Sequence, residues 1–99
     1  MSKQLSNDYA GAIIDFSKVI ESDQNISNSY FKRGLCKAKL DDFSGSILDY
    51  DKAIEIDPTD DANFYNRGFS KLVLEDFNGA ISDFTKAIEI NPNDAETYY

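Results

Sequence analysis

The chain contains no histidine and a single cysteine, Cys36, in 99 residues. Without histidine, the usual pairing of a nucleophile with an activating base has no base. One cysteine excludes an intrachain disulfide and any zinc site built on thiols alone. Cations are scarce: ten Lys and Arg face eighteen Asp and Glu, for a net charge of −8. Nucleic acids and anionic membrane surfaces require a basic footprint, so both are poor candidates as partners. The carboxylates read as a solubility device. No apolar run approaches the ~20 residues of a membrane span. The opening Met1-Ser2-Lys3-Gln4-Leu5-Ser6-Asn7 lacks the apolar core of a secretion signal, so a cytoplasmic location is expected. The five glycines are spread along the chain rather than gathered into a phosphate loop. Asp57-Pro58-Thr59-Asp60-Asp61 lacks the glycine and the distal glutamate of a calcium loop. No catalytic residue, cofactor or metal site is predicted.

What the chain does have is repetition. Residues 27–60 are written again at 61–94, with 16 of 34 positions identical. The shared positions include Arg33/Arg67, Gly34/Gly68, Lys37/Lys71, Asp42/Asp76, Gly45/Gly79, Asp49/Asp83, Lys-Ala-Ile-Glu-Ile at 52–56 and 86–90, and Pro58/Pro92. A fixed period of this size predicts stacked units, each burying its apolar face against its neighbours. Residues 8–26 align with 42–60, through Asp8, Gly11, Ile13, Asp15, Lys18, Ile20, Glu21 and Asp23. Residues 1–26 are therefore a partial repeat, and 95–99 begin another. Cys36 stands where the next repeat has Ser70, which reads as a small packing residue rather than a reactive thiol.

Each unit divides into two helical segments. Tyr30, Phe31, Leu35, Ala38 and Leu40 recur at helical spacing, and so do Phe64, Tyr65, Phe69, Leu72 and Leu74. In the second segment Phe43, Ile47, Tyr50, Ile54 and Phe77, Ile81, Phe84, Ile88 step by four, three and four residues, one apolar stripe per helix. Asp42 and Asp76 are placed to cap the second helices, and Asp60 and Asp94 the first helices that follow. Pro58 and Pro92 lie just past a helix end, where a missing N–H does least harm. Gln24 replaces this proline in the partial repeat, predicting a looser junction. The pattern predicts five helices, roughly 8–22, 28–40, 43–57, 62–74 and 77–90, with 1–7 a remnant of a separate first helix. Lys52/Glu55 and Lys86/Glu89 should form solvated pairs on the outer face.

These residues resemble the tetratricopeptide repeat, whose 34-residue unit carries an aromatic and a Leu-Gly pair in its first helix, then a small residue, an aromatic and another small residue in its second, then proline. Here the aromatics are Tyr30, Phe64 and Tyr98, the glycines Gly34 and Gly68, and the first small residues Ala12, Ser46 and Ala80. Phe16, Tyr50 and Phe84 are the second aromatics, Val19, Ala53 and Ala87 the later small positions, and Pro58 and Pro92 the prolines. The resemblance implies an all-α, right-handed solenoid of antiparallel helix pairs in a single domain. Its departures are Arg33/Lys37 and Arg67/Lys71, where the family prefers Leu and Tyr. Two readings are open for them. Asp15 could meet Arg33 or Lys37, and Asp49 meet Arg67 or Lys71, across the junctions between units. Alternatively, the basic pairs form a patch for an acidic ligand.

The family's first helices line a concave groove that holds a peptide or partner helix. Carried over by position, the groove would be Asn28, Phe31, Lys32, Leu35 and Lys39, then Tyr65, Asn66, Phe69 and Val73, with Glu96 and Tyr99 extending the row. Rigid aromatics give contact area at low entropic cost. The same aromatics could instead pack on one another. One subset of the family clamps chaperone tails with lysine and asparagine. Here only Asn66 falls on such a position, and Phe31 and Leu35 take places those residues fill, so chaperone-tail binding is not expected. The implied role is that of a protein-interaction adaptor with a protein or peptide partner. The rivals are self-association through the uncovered Phe84/Ile88 stripe of the last helix and a regulatory arm of a larger enzyme.

Overall fold

The computed structural model describes residues 2–92, and the side chains of 8–92. It contains five helices: α1 (Ser2–Ser22), α2 (Ser27–Lys39), α3 (Phe43–Ile56), α4 (Asp61–Val73) and α5 (Phe77–Ile90). No strand occurs among the described residues. Each helix packs on the next in sequence, and α2 also touches α4. The short connections oblige neighbouring helices to run antiparallel.

The α2–α3 and α4–α5 hairpins share one turn design. The Asp41 N–H bonds the Ala38 carbonyl at 3.0 Å and the Asp42 N–H bonds the Lys37 carbonyl at 2.8 Å, the two bonds of a Schellman ending. Glu75 and Asp76 repeat this on Leu72 and Lys71. The motif demands a left-handed residue, and Asp41 and Glu75 adopt it with φ of 65° and 66°. Asp42 then opens α3 by accepting from the Gly45 N–H at 2.9 Å, and Asp76 opens α5 by accepting from Gly79 at 3.1 Å. Glycine suits both positions, because a Cβ there would crowd the capping carboxylate and make it shift. Asp60 caps α4 through the Ala62 N–H at 3.0 Å. Asp94, the remaining expected cap, lies outside the described residues.

One boundary differs from expectation. Residues 2–7 do not form a separate remnant; α1 runs unbroken from Ser2 to Ser22. A seven-residue helix is too short to stand alone. Continuing α1 backward gives the N–H groups near Asp8 intrahelical partners instead of leaving them to a cap.

The core follows the small positions. Ala53, Ala80 and Ala87 are at most 1% exposed, and Tyr50, Tyr30 and Phe64 are buried beside them. Ile20 of α1, Tyr30 of α2 and Ala53 of α3 form one cluster, with Phe31 and Ile56 packed against it. Val19, the counterpart of Ala53, is 41% exposed. At the α3–α4 junction the Ser46 hydroxyl donates to the Phe43 carbonyl at 2.7 Å, so Ser70 supplies the hydrogen of the 2.8 Å Ser46–Ser70 bond. Both serines are fully buried, and this bond pins one unit to the next.

Candidate functional site

The charged departures from the repeat pattern are largely consumed inside the fold. Arg33 donates from Nε and Nη2 to the two oxygens of Asp49 at 2.8 and 2.7 Å, and Lys37 adds a 3.2 Å contact. Arg67 does the same with Asp83 at 2.8 and 2.7 Å, joined by Lys71 at 3.2 Å. Asp49 and Asp83 are each 3% exposed. The ladder therefore exists, but its register differs from the expected one. Each acid meets the bases of its own unit, not those of the next, and Asp15 is exposed. The cross-junction contact falls two residues later: the Arg67 Nη1 donates to Asp51 of the preceding unit at 2.9 Å. Arg33 reaches the matching Ser17 hydroxyl at 3.1 Å. The hydrogen bonds that Arg33 and Arg67 donate to Asp49 and Asp83 hold both guanidinium pKa values above the ordinary arginine value. Each guanidinium also lies over an aromatic ring, Arg33 over Tyr30 and Arg67 over Phe64. The basic patch is thus internal. Of the two expected outer pairs, Lys52–Glu55 stands at 3.5 Å.

Two hollows lie along the first helices. One, of about 350 Å³, is lined by Tyr9 and Phe16 of α1 and by Lys32, Leu35, Cys36 and Lys39 of α2. The second, of about 290 Å³, is lined by Leu35, Ala38 and Lys39 of α2, Asp41, Phe43 and Tyr50, and Asn66, Phe69 and Ser70 of α4. Adding 34 to Tyr9, Phe16, Lys32, Leu35 and Cys36 gives Phe43, Tyr50, Asn66, Phe69 and Ser70. The two are one architectural hollow built twice, and Leu35 and Lys39 line both. Burial raises the Cys36 thiol pKa above its ordinary value.

Of the expected groove residues, Lys32, Leu35, Lys39, Asn66 and Phe69 line these hollows. Phe31 and Tyr65 do not line either. Phe31 is half-buried with its ring 6.0 Å from that of Tyr50, and Tyr65 lies 5.6 Å from Phe84. Asn28 and Val73 are exposed outside the hollows, and Tyr99 lies beyond the described residues. Asn66 donates its side-chain amide to the Ala62 carbonyl at 2.8 Å, which orients it. Sequence reasoning missed the second-helix half of the lining, namely Tyr9, Phe16, Phe43 and Tyr50. Their signal was present as the apolar stripe, but a stripe reads as core.

A third cavity, of about 400 Å³, is bounded by Phe64, Arg67, Ser82, Asp83, Thr85, Lys86 and Glu89. Phe84 and Ile88, expected to be bare, are half-buried; Phe77 and Ile81 are the exposed members of that stripe, at 56% and 63%. Among the described residues, no helix is long and apolar enough to cross a membrane.

Solved structures share this architecture. MamA superposes with a TM-score of 0.88 at 26% identity, over 98% of this chain and 57% of its own, so the chain spans little more than half of that protein. The first TPR of Spaghetti (RPAP3), bound to the HSP90 peptide SRMEEVD, superposes with a TM-score of 0.85 at 18% identity, over 93% of this chain and 78% of that one. The type III secretion chaperone SycD of Yersinia enterocolitica, in complex with a peptide of the translocator YopD, gives a TM-score of 0.85 at 18% identity, over 96% of this chain and 82% of its own. No curated protein matches the chain significantly. Family models described as tetratricopeptide repeat match residues 27–60 and 64–94, together well over half of the sequence. By that match, and by helices that pair and stack as the period requires, the chain belongs to the tetratricopeptide repeat family.

Proposed function

We propose that the chain is a protein-interaction module, not an enzyme, and that it seats a peptide or partner helix along the two hollows. The observation that carries this reading is their duplication at the repeat period. A row of equivalent apolar hollows suits a ligand that offers successive side chains. Leu35 and Phe69 are the apolar anchors, Phe69 being 48% exposed, with Lys32, Lys39 and Asn66 as polar points along the rim. Asn28 and Val73 extend the contact surface, and Phe31 and Tyr65 support it from behind. Similar structures hold peptides, as with SycD and the first TPR of Spaghetti, which favours this use of the fold. A cytoplasmic site of action suits the charge and composition.

The test is selection of a displayed library of 12-residue peptides on the folded protein, repeated with Leu35→Ala and Phe69→Ala. Wild type should enrich a defined set that both variants lose while their circular dichroism stays helical. Equal enrichment on all three proteins would end the reading.

A second reading has its own observation. Phe43 and Ile47 are half-buried, whereas their counterparts Phe77 and Ile81 on α5 are exposed. That face could join two copies. Light scattering behind size exclusion decides it: a clean monomer at high concentration removes self-association.

A further inference from the structure

The two hollows have the same shape plan but different electrostatics, and the difference specifies a ligand. Of the cations on α2 and α4, Arg33, Lys37, Arg67 and Lys71 are held by Asp49 or Asp83. Lys32 and Lys39 are exposed and form no salt bridge with any carboxylate among the described residues. They are seven residues apart, two turns of α2, about 10 Å along one face. Both line the first hollow, which has no carboxylate among its described lining residues and has Tyr9, Phe16 and Leu35 as its apolar surface. One repeat later the matching positions are Asn66 and Val73, and the second hollow is bordered by Asp41. The row is therefore cationic at its α1–α2 end, whereas at its α3–α4 end Lys39, which lines both hollows, is balanced by Asp41.

We propose that the ligand is an acidic peptide segment with apolar anchors, its carboxylates clustered at the end that meets Lys32 and Lys39. This rests on the groove reading above and names its partner class. One apolar side chain enters the first hollow between the two ammonium groups, which donate to the carboxylates of adjacent Asp or Glu side chains. A second apolar side chain enters against Phe69 and Phe43, where Asp41 offsets the charge of Lys39 and an acidic neighbour gains little. Neighbouring helix axes lie about 8–10 Å apart. The anchors are thus separated by about three residues of an extended chain or two turns of a helix. The net charge of −8 opposes an acidic partner at long range. At 0.15 M salt the Debye length is about 8 Å, so the contact pairs at Lys32 and Lys39 outweigh the distant field.

The same 12-residue library decides this at 0.15 M salt, on wild type and on the double variant K32E/K39E. Both lysines are exposed, so the exchange leaves packing intact. Wild type should enrich peptides with apolar residues and an excess of Asp and Glu toward one end. K32E/K39E should lose them and enrich Lys- and Arg-bearing peptides instead. A synthetic copy of the leading acidic peptide should bind K32E/K39E about tenfold more weakly than wild type. Neutral or basic enrichment on wild type, or one motif shared by both proteins, overturns the acidic preference and leaves the groove standing. Enrichment insensitive to Leu35→Ala and Phe69→Ala, or no enrichment at all, overturns the groove and this proposal together.

Discussion

The guanidinium of Arg67 grips the carboxylate of Asp83 with two parallel hydrogen bonds, and Asp83 is only 3% exposed. The same Arg67 donates its remaining reach to Asp51, which is half-exposed in the previous unit. One side chain thus closes its own hairpin and ties it to its neighbour, in environments of different polarity. Removing one member of a buried pair leaves the other uncompensated and costs about 3–5 kcal/mol, whereas an exposed pair contributes about 1 kcal/mol at most. Asp83→Ala should therefore lower the unfolding free energy by about 3 kcal/mol, and Asp51→Ala by less than about 1 kcal/mol. Urea unfolding of both variants checks this; comparable losses would mean the two contacts are not energetically distinct.

Two glycines in helices should respond oppositely to alanine. A Cβ on Gly34 would stand 2.7 Å from Cε1 of Tyr50, a ring only 1% exposed and unable to retreat. Overpacking of that kind costs about 1–3 kcal/mol, against a helix-propensity gain of about 1 kcal/mol. Gly34→Ala should be neutral at best and destabilising by up to about 2 kcal/mol. Gly11 has nothing within 4 Å of its would-be Cβ, so Gly11→Ala should stabilise by about 0.5–1 kcal/mol. Thermal midpoints moving the same way would contradict this.

The hairpin turns hold non-glycine residues in a left-handed conformation at Asp41 and Glu75. That geometry costs an ordinary side chain about 1–2 kcal/mol, and Asp tolerates it better than Glu. Glu75→Gly should raise stability by about 1 kcal/mol, and Asp41→Gly by less. The expected signature is a shifted denaturant midpoint at constant slope.

Alkaline pH should weaken the fold through Tyr50. Burial, and next the Asp49 charge, push its phenol pKa far above the ordinary value. A folded-state pKa raised above the unfolded one contributes stability that is complete below about pH 10. That contribution is lost as pH climbs from there toward the folded value. Phenylalanine fills the equivalent place in the next unit as Phe84, so Tyr50→Phe should fold normally. Its denaturant midpoint should match wild type at pH 8 and exceed it at pH 11. Identical pH profiles for the two proteins would exclude Tyr50 as the titrating group.

Much of the architecture was legible because its causes are local. The caps at Asp42, Asp60 and Asp76 act within three residues, and the apolar stripes follow helical geometry. The ion-pair register was not legible. Asp15 precedes Arg33 by 18 residues and Asp49 follows it by 16, so a periodic sequence offers two nearly equal partners. The hairpin turn at 40–42 aligns Asp49 with Arg33 and turns the choice toward the nearer unit. The hollows were half legible. First-helix positions carried over to Lys32, Leu35, Lys39, Asn66 and Phe69, but Phe31 and Tyr65 turn toward the rings of Tyr50 and Phe84.

The amino-acid order alone established five helices, the capping residues Asp42, Asp60 and Asp76, the 34-residue unit and the chemical character of the surface, because each depends on neighbours a few residues away. Three-dimensional packing settled which acid each arginine holds, which aromatics are spent in the core, and that Lys32 and Lys39 flank one hollow with no carboxylate among its described lining residues. Those outcomes depend on distances between helices, and a period that repeats every 34 residues leaves them degenerate until the hairpins are stacked.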